Sequence, residues 1–223
     1  MREIVLDTET TGLDPAEGHR VVEIACLELM HHVPTGRRFH RYLNPERDMP
    51  TDAFTVHGID AEFLLRQPRF EEIIDELIGF IGDSPLVIHN VEFDLPFLNA
   101  ELARIGRPAL ACGFVDTLGL ARRRYPGAPA SLDALCRRFA IDLTDREKHG
   151  ALIDCGLLAE VYIELLGGRQ PGLDFAAAAD ADAALLGAPL PRREPRPHAP
   201  TAEELIAHQA MLALIKAPLW LAA

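Results

Sequence analysis

With 223 residues, 48% of them hydrophobic, and a net charge of −12, the chain is long enough for one core of ordinary domain size plus extensions. No uninterrupted apolar stretch has the length of a membrane span, and Met1-Arg2-Glu3 followed by a short strand-like run lacks a signal peptide's apolar region; a cytoplasmic protein with no membrane contact is expected. The acidic balance excludes gripping nucleic acid by bulk electrostatics, so a phosphate ligand would need metal ions, local basic patches or a partner to hold the chain on it.

In chain order, residues 4–6 (Ile4, Val5, Leu6) read as a first strand, Val21–Met30 as a second and residues 38–43 as a third. Turn signals separate them at residues 11–18 and at Pro34-Thr35-Gly36, which suggests an antiparallel three-stranded start. Phe70, Ile73, Ile74, Leu77, Ile78 and Ile81 form one apolar stripe and predict a helix over Phe70–Ile81. Leu86-Val87-Ile88 reads as a buried strand, and Phe97, Leu98, Leu102 and Ile105 as the next helical stripe, closed by Gly106. Phe114-Val115 is a short strand ending in Asp116. Ser131 caps a helix through Phe139, and residues 152–166 form a last strong helix before Gly167-Gly168. Strands first, then helices alternating with single strands, predict an α/β fold with a mixed sheet over residues 1–168.

Residues 169–200 follow, and the Ala- and Pro-rich part from 176 onward has little to bury and reads as a flexible linker. Order restarts at Thr201, where Leu205, Ile206, Met211, Leu212, Leu214 and Ile215 predict a short amphipathic helix in the segment 201–223, which also holds the only tryptophan, Trp220. The four cysteines (Cys26, Cys112, Cys136, Cys155) are scattered, with no Cys-x-x-Cys, and are expected as buried free thiols.

The chemistry starts at VLDTETTG. Residues two apart on a strand share a face, so Asp7 and Glu9 stand side by side and each opposes ionisation of the other. A bound cation turns that repulsion into a site. Asp94, just before Leu95-Pro96, reads as a helix N-cap. Asp154 shares the core-facing line of its helix with Leu158, Val161 and Leu165, where an unpaired carboxylate is costly. It needs a base, hydrogen-bond donors or a metal, and a structural ion pair stays open. His149 lies five residues earlier, about 140° away around a helix, so it joins Asp154 only from the preceding loop, Lys148-His149-Gly150. Four acids from three segments and one loop histidine make a coherent set. Hard oxygen ligands suit Mg²⁺ or Mn²⁺, and two such ions about 4 Å apart clamp a phosphodiester while a histidine takes a proton from water.

With these residues in view, LDTETTG, HNVEFD (His89 to Asp94) and HGALID (His149 to Asp154) resemble the DEDDh 3′→5′ exonucleases of the RNase H-like fold. VHGI (Val56 to Ile59), VIHN (Val87 to Asn90), SLDALC (Ser131 to Cys136) and HGALIDC are similar, within that family, to the proofreading (epsilon) subunits of bacterial DNA polymerase III. The resemblance implies an RNase H-like mixed sheet flanked by helices. It makes Asp7, Glu9, Asp94 and Asp154 the ligands of two metal ions, His149 the general base, and a single-stranded 3′ end of DNA the substrate. It puts His57 against the terminal nucleotide, with Glu9 and Asp154 also near it, and Thr10, Thr11, Gly12 and Leu13 around the 3′ end. Asp52 stands where those subunits carry Glu, and its shorter side chain leaves its contact open. Asp116 is left structural.

The tail adds partners to this reading. Gln170, Leu173 and Phe175 spell Q-x-x-L-x-F, similar to the motif that docks replication proteins on the sliding clamp, with Leu173 and Phe175 as apolar anchors. The segment 201–223, with Leu212 and Trp220, resembles the part that binds the polymerase catalytic (alpha) subunit as a helix in a groove. A small theta-like subunit on the domain is left open. Tethering beside a primer end also resolves the charge problem. Two rivals stay on the table here: a free-standing RNase of the same superfamily acting on short RNA, and a module that mainly bridges polymerase and clamp.

Overall fold

The computed structural model describes residues 1–144, 146, 148–168 and 199–216. Strand β1 (Arg2–Thr10) lies at the centre of a five-stranded sheet with the spatial order β3-β2-β1-β4-β5, where β2 is Val21–Met30, β3 Val33–Tyr42, β4 Leu86–Ile88 and β5 Phe114–Asp116. β1, β2 and β3 pair antiparallel, whereas β4 runs parallel to β1 and β5 parallel to β4. This is the mixed α/β sheet expected, with helices on both faces.

Strand alternation sorts the core into two layers. Ile4, Leu6, Ile24, Cys26, Leu86 and Ile88 face helices α3 (Phe70–Ile81) and α4 (Val91–Arg104). Val5, Ala25 and Val87 face the opposite layer, built by α5 (Thr117–Arg124), α6 (Leu132–Arg138) and α7 (Ala151–Leu165). Asp7 and Glu9 share the parity of Val5, so they point toward α7, while Thr8 points toward α4. The β1–β4 ladder pairs only Ile4 with Leu86 and Val5 with Val87, and β1 continues to Thr10. The sheet therefore opens at the carboxyl ends of β1 and β4, the place where open α/β sheets bind ligands.

Several expected boundaries move. The first strand is longer than residues 4–6 because β2 pairs with it over its whole length, which lets charged residues stay in the ladder. The β2–β3 turn is at His31-His32, both with positive φ (52° and 64°), not at Pro34-Thr35-Gly36. Positive φ at both central positions is the type I′ form of a two-residue hairpin, and His-His carries none of the Asn or Gly signal usual for it. Pro34 and Gly36 instead sit in edge strand β3, opposite a register shift between Leu27 and Leu29, where proline and glycine are tolerated. Helices α1 (Thr51–His57), α2 (Ala61–Leu64) and α5 are too short to show an apolar period. Asp94 is not an N-cap: α4 begins at Val91 behind Asn90, which takes the left-handed conformation (φ 71°), and Asp94 falls in its first turn. Ser131 does cap α6, accepting from the Ala134 N–H at 3.3 Å. All four cysteines are free.

The chain divides into two compact units, Met1–Gly172 and Leu173–Ala223. In the second, helix α8 (Ala202–Leu214) opens on a capping box in which Thr201 and Glu204 satisfy each other's backbone N–H groups. Leu212 lies in its last turn; Gln170, Leu173, Phe175, Trp220 and the expected linker lie outside the described residues, apart from residues 199–200. No described helix is long and apolar enough to cross a membrane.

Candidate active site

Four acids converge on the open end of the sheet from both layers. Asp7 and Glu9 come from β1, and Asp154 from the first turn of α7, buried at 3% exposure. Asp94 reaches in from α4, where its Oδ1 accepts the Thr8 hydroxyl at 2.7 Å. Burial, then Asp94, Asp154, Glu9 and Glu23, hold the Asp7 carboxyl well above the usual carboxylate range. Burial first, then Glu23, Asp154 and Asp94, push Glu9 up to about 8, with Arg146 pulling the other way. Burial lifts Asp94 to about 7 against the opposing Thr8 hydrogen bonds. Asp154 behaves differently: burial pushes it up, but His149 and the Arg146 guanidinium outweigh that and hold it below its ordinary value. A carboxylate cluster this short of positive charge fits a divalent cation, and its hard oxygen donors suit one. Donor atoms of Glu9, His149 and Asp154 already lie within 4.8 Å of one another.

His149 stands where the helical-angle argument requires it, outside α7. Gly150 is the N-cap with extended backbone, the His149 N–H donates to the Val56 carbonyl at 3.3 Å, and the imidazole is half exposed. Its Nδ1 lies 3.4 Å from Asp154 Oδ2. Three of the acids line two cavities, Glu9 one and Asp7 with Asp154 the other. One, of about 470 Å³, is lined by Glu9, Thr10, Thr11, Gly12, Leu13, Asp52, His57 and Phe93, which gathers every nucleotide-contact candidate of β1 and α1 in one place. The other, about 550 Å³, is lined by Asp7, His89, Asn90, Arg122, Asp133, Arg146, His149 and Asp154.

In the first cavity Leu13 is 84% exposed, an apolar side chain held out beside the acids. His57 Nδ1 accepts the Ile59 N–H at 3.0 Å, so the ring proton belongs on Nε2. That Nε2 is buried with no hydrogen-bond partner among the described residues; the Thr10 carbonyl is near the ring but out of good geometry. Burial pushes the imidazole below its usual pKa, partly opposed by Glu23, which keeps it a neutral donor. Asp116 caps α5, accepting from Leu118 and Gly119 N–H at 3.1 and 2.9 Å, and also takes the Asn90 N–H at 3.1 Å.

Two residues of the site went unread in the sequence. Glu23, opposite Glu9 in the β1–β2 ladder, is buried; it accepts the Ala151 N–H at 3.1 Å and pairs with His40 Nε2 at 2.7 Å. It thereby ties the start of α7, and with it the His149–Asp154 segment, to the sheet. Its signal was present: a lone acid in the apolar run VVEIAC. Glu23→Ala is expected to lower stability by about 1–3 kcal/mol in denaturant melts, the range for orphaning a buried N–H, and to reduce turnover more than substrate affinity. Unchanged melts and turnover would remove that tie. The second is Arg146, whose side chain is 7% exposed among the acids.

Comparison with known proteins agrees with this geometry. The exonuclease family model (RNase_T) matches residues 4–162. The DNA polymerase III subunit epsilon of Rickettsia felis is 55% identical over 174 residues, covering 76% of each chain. That of Escherichia coli is 41% identical over 228 residues, covering 96% of this chain and 93% of the relative. Among solved structures, exonuclease X in complex with 5′ overhanging duplex DNA superposes with a TM-score of 0.60 at 25% identity, covering 74% of this chain and 90% of that one. By its sheet, its acid-lined cleft and these likenesses together, the chain belongs to the exonuclease family, among the epsilon subunits of DNA polymerase III.

Proposed function

We propose that the chain is a 3′→5′ exodeoxyribonuclease that removes misincorporated nucleotides from a primer end as the proofreading subunit of a bacterial DNA polymerase III. The observation that carries this reading is the mutual repulsion among Asp7, Glu9, Asp94 and Asp154, with Glu9 lining one cavity, Asp7 and Asp154 the other, and Asp94 buried behind them. These four would hold two divalent ions, Mg²⁺ or Mn²⁺, which when bound make water a stronger acid and neutralise the departing oxyanion. Leu13 and the Thr10-Thr11-Gly12 backbone would bracket the terminal nucleotide in the first cavity, where the unpartnered His57 Nε2–H is free to donate to it. Asp52 lines the same cavity on a short side chain.

His149 would take the proton of the attacking water. Its loop position and exposed ring let it pass that proton to solvent, which a buried histidine could not do. His149→Ala is expected to lower turnover by about 10²–10⁴-fold, the usual range for a general base, while calorimetry still detects Mn²⁺ uptake. A variant with the wild-type pH–rate profile would remove His149 from the chemistry.

The tail supplies the tether in this reading. The alignment with the Escherichia coli subunit covers 96% of this chain, so it extends into the C-terminal segment. Residues 201–223, with Leu212 and Trp220, would bind the polymerase catalytic (alpha) subunit, and Gln170, Leu173 and Phe175 the sliding clamp. A small theta-like subunit would have the exonuclease unit as its surface. The deciding experiment uses the purified chain and a 5′-labelled primer carrying a 3′ mismatch, with Mg²⁺, Mn²⁺ or EDTA. Stepwise shortening from the 3′ end that needs metal, faster on the mismatch than on the pair and slower on RNA of the same sequence, is expected. Metal-independent cleavage or a preference for RNA would reject the proposal.

A further inference from the structure

Arg146 lies on the segment before α7 and points into the acid cluster. Its Nε donates to Asp154 Oδ1 at 2.5 Å and its Nη2 to Asp154 Oδ2 at 2.6 Å. The same Nη2 faces His149 Nδ1 at 3.0 Å, and Nη1 is paired with Asp133 in the first turn of α6. A parallel two-point pair between guanidinium and carboxylate is the strongest geometry these groups make. It engages both oxygens of Asp154, a proposed metal ligand whose donor atoms lie within 4.8 Å of those of Glu9 and His149. A hard divalent ion needs at least one of those oxygens along an unshared direction.

We infer that Arg146 is a built-in counter-cation of Asp154, that a divalent ion and this guanidinium exclude one another there, and that Arg146 therefore sets the metal affinity of the site. The inference rests on the metal-dependent reading above. The geometry explains how the exchange stays local. Asp133, whose side chain is 40% exposed, lines the second cavity and already holds Nη1, so the displaced guanidinium can rest on it. Leaving Asp154 also releases His149 Nδ1 from its contact with Nη2. The proposed base becomes available in the same movement that opens the ligand. Until then the guanidinium offsets part of the repulsion among the acids, as its opposing effect on Glu9 indicates.

The test compares Mn²⁺ binding by calorimetry for the full chain, Arg146→Gln and Arg146→Lys at one pH, beside melting temperatures in EDTA and in saturating Mn²⁺. Removing the competitor should tighten Mn²⁺ binding about tenfold or more in Arg146→Gln, with the lysine variant between it and wild type. In EDTA the glutamine variant should melt lower than wild type, and saturating Mn²⁺ should close that gap. Equal or weaker Mn²⁺ binding in both variants overturns the inference, as does a melting deficit that Mn²⁺ leaves unchanged, because either marks Arg146 as plain scaffold. Wild-type chain that takes up no Mn²⁺ would instead sink the metal-dependent reading itself.

Discussion

Asp7→Asn is expected to abolish exonuclease turnover, by about a thousandfold or more, and to raise the melting temperature of the metal-stripped protein. With Asp7 as one of the proposed metal ligands, the first effect follows from removing an oxygen charge that would be worth several kcal/mol to the transition state. The second follows from the surroundings of Asp7, whose carboxyl is held well above its usual range by burial and by four neighbouring acids, Asp94, Asp154, Glu9 and Glu23. An amide of the same shape keeps the packing against Val5 and α7 but carries no charge to desolvate. Activity and stability should thus move in opposite directions, which a misfolded variant cannot imitate. Labelled-primer assays and thermal melts in EDTA read the two effects separately. Retained turnover would remove Asp7 from the catalytic set; lost turnover with a lower melting temperature would make it structural.

Which parts of this site could be read in advance depended on whether a residue's role is local. Asp7 and Glu9 were legible because strand parity alone puts them on one face, and the ladder with β2 confirms that parity. Asp154 was legible because helical spacing aligns it with Leu158, Val161 and Leu165, all buried in α7. His149 followed from the angle it could not satisfy inside that helix. Asp94 was placed near the site but given the wrong local role, because Asn90 starts α4 in a left-handed conformation that propensity does not announce. Glu23 acts across 128 residues of sequence, through Ala151, whereas Arg146 stands only eight residues before Asp154 but on an irregular segment with no periodic pattern to aim it. Nothing in a linear pattern ties Glu23 to the N-terminus of α7. Likewise, Thr51–His57 shows no apolar period, so only the resemblance pointed to His57, and only the fold brings it beside Thr10 in one cavity.

The metal-stripped protein is expected to lose stability as pH rises from about 4 to about 8, and saturating Mn²⁺ is expected to erase that dependence. Glu9 moves from an ordinary value of 4.5 to about 8, and Asp94 from 3.8 to about 7, both led by burial. Over those intervals the folded chain holds protons that the unfolded chain has already released. Unfolding then releases protons, so higher pH favours it. Asp154 has the opposite shift, and its contribution is lost only as pH falls below its ordinary value of 3.8, outside this window. The raised groups together represent on the order of a few kcal/mol between pH 5 and pH 8, or roughly 5–15 °C in melting temperature for a domain of this size. Divalent cations supply the missing positive charge, so the metal-loaded site should stay ionised through neutral pH and its melting temperature should be flat or rise across the same range. Melts in EDTA that are level from pH 5 to pH 8 would show that the acids are already compensated without metal. That result would contradict the charge deficit from which the assignment of Asp7, Glu9, Asp94 and Asp154 as metal ligands starts.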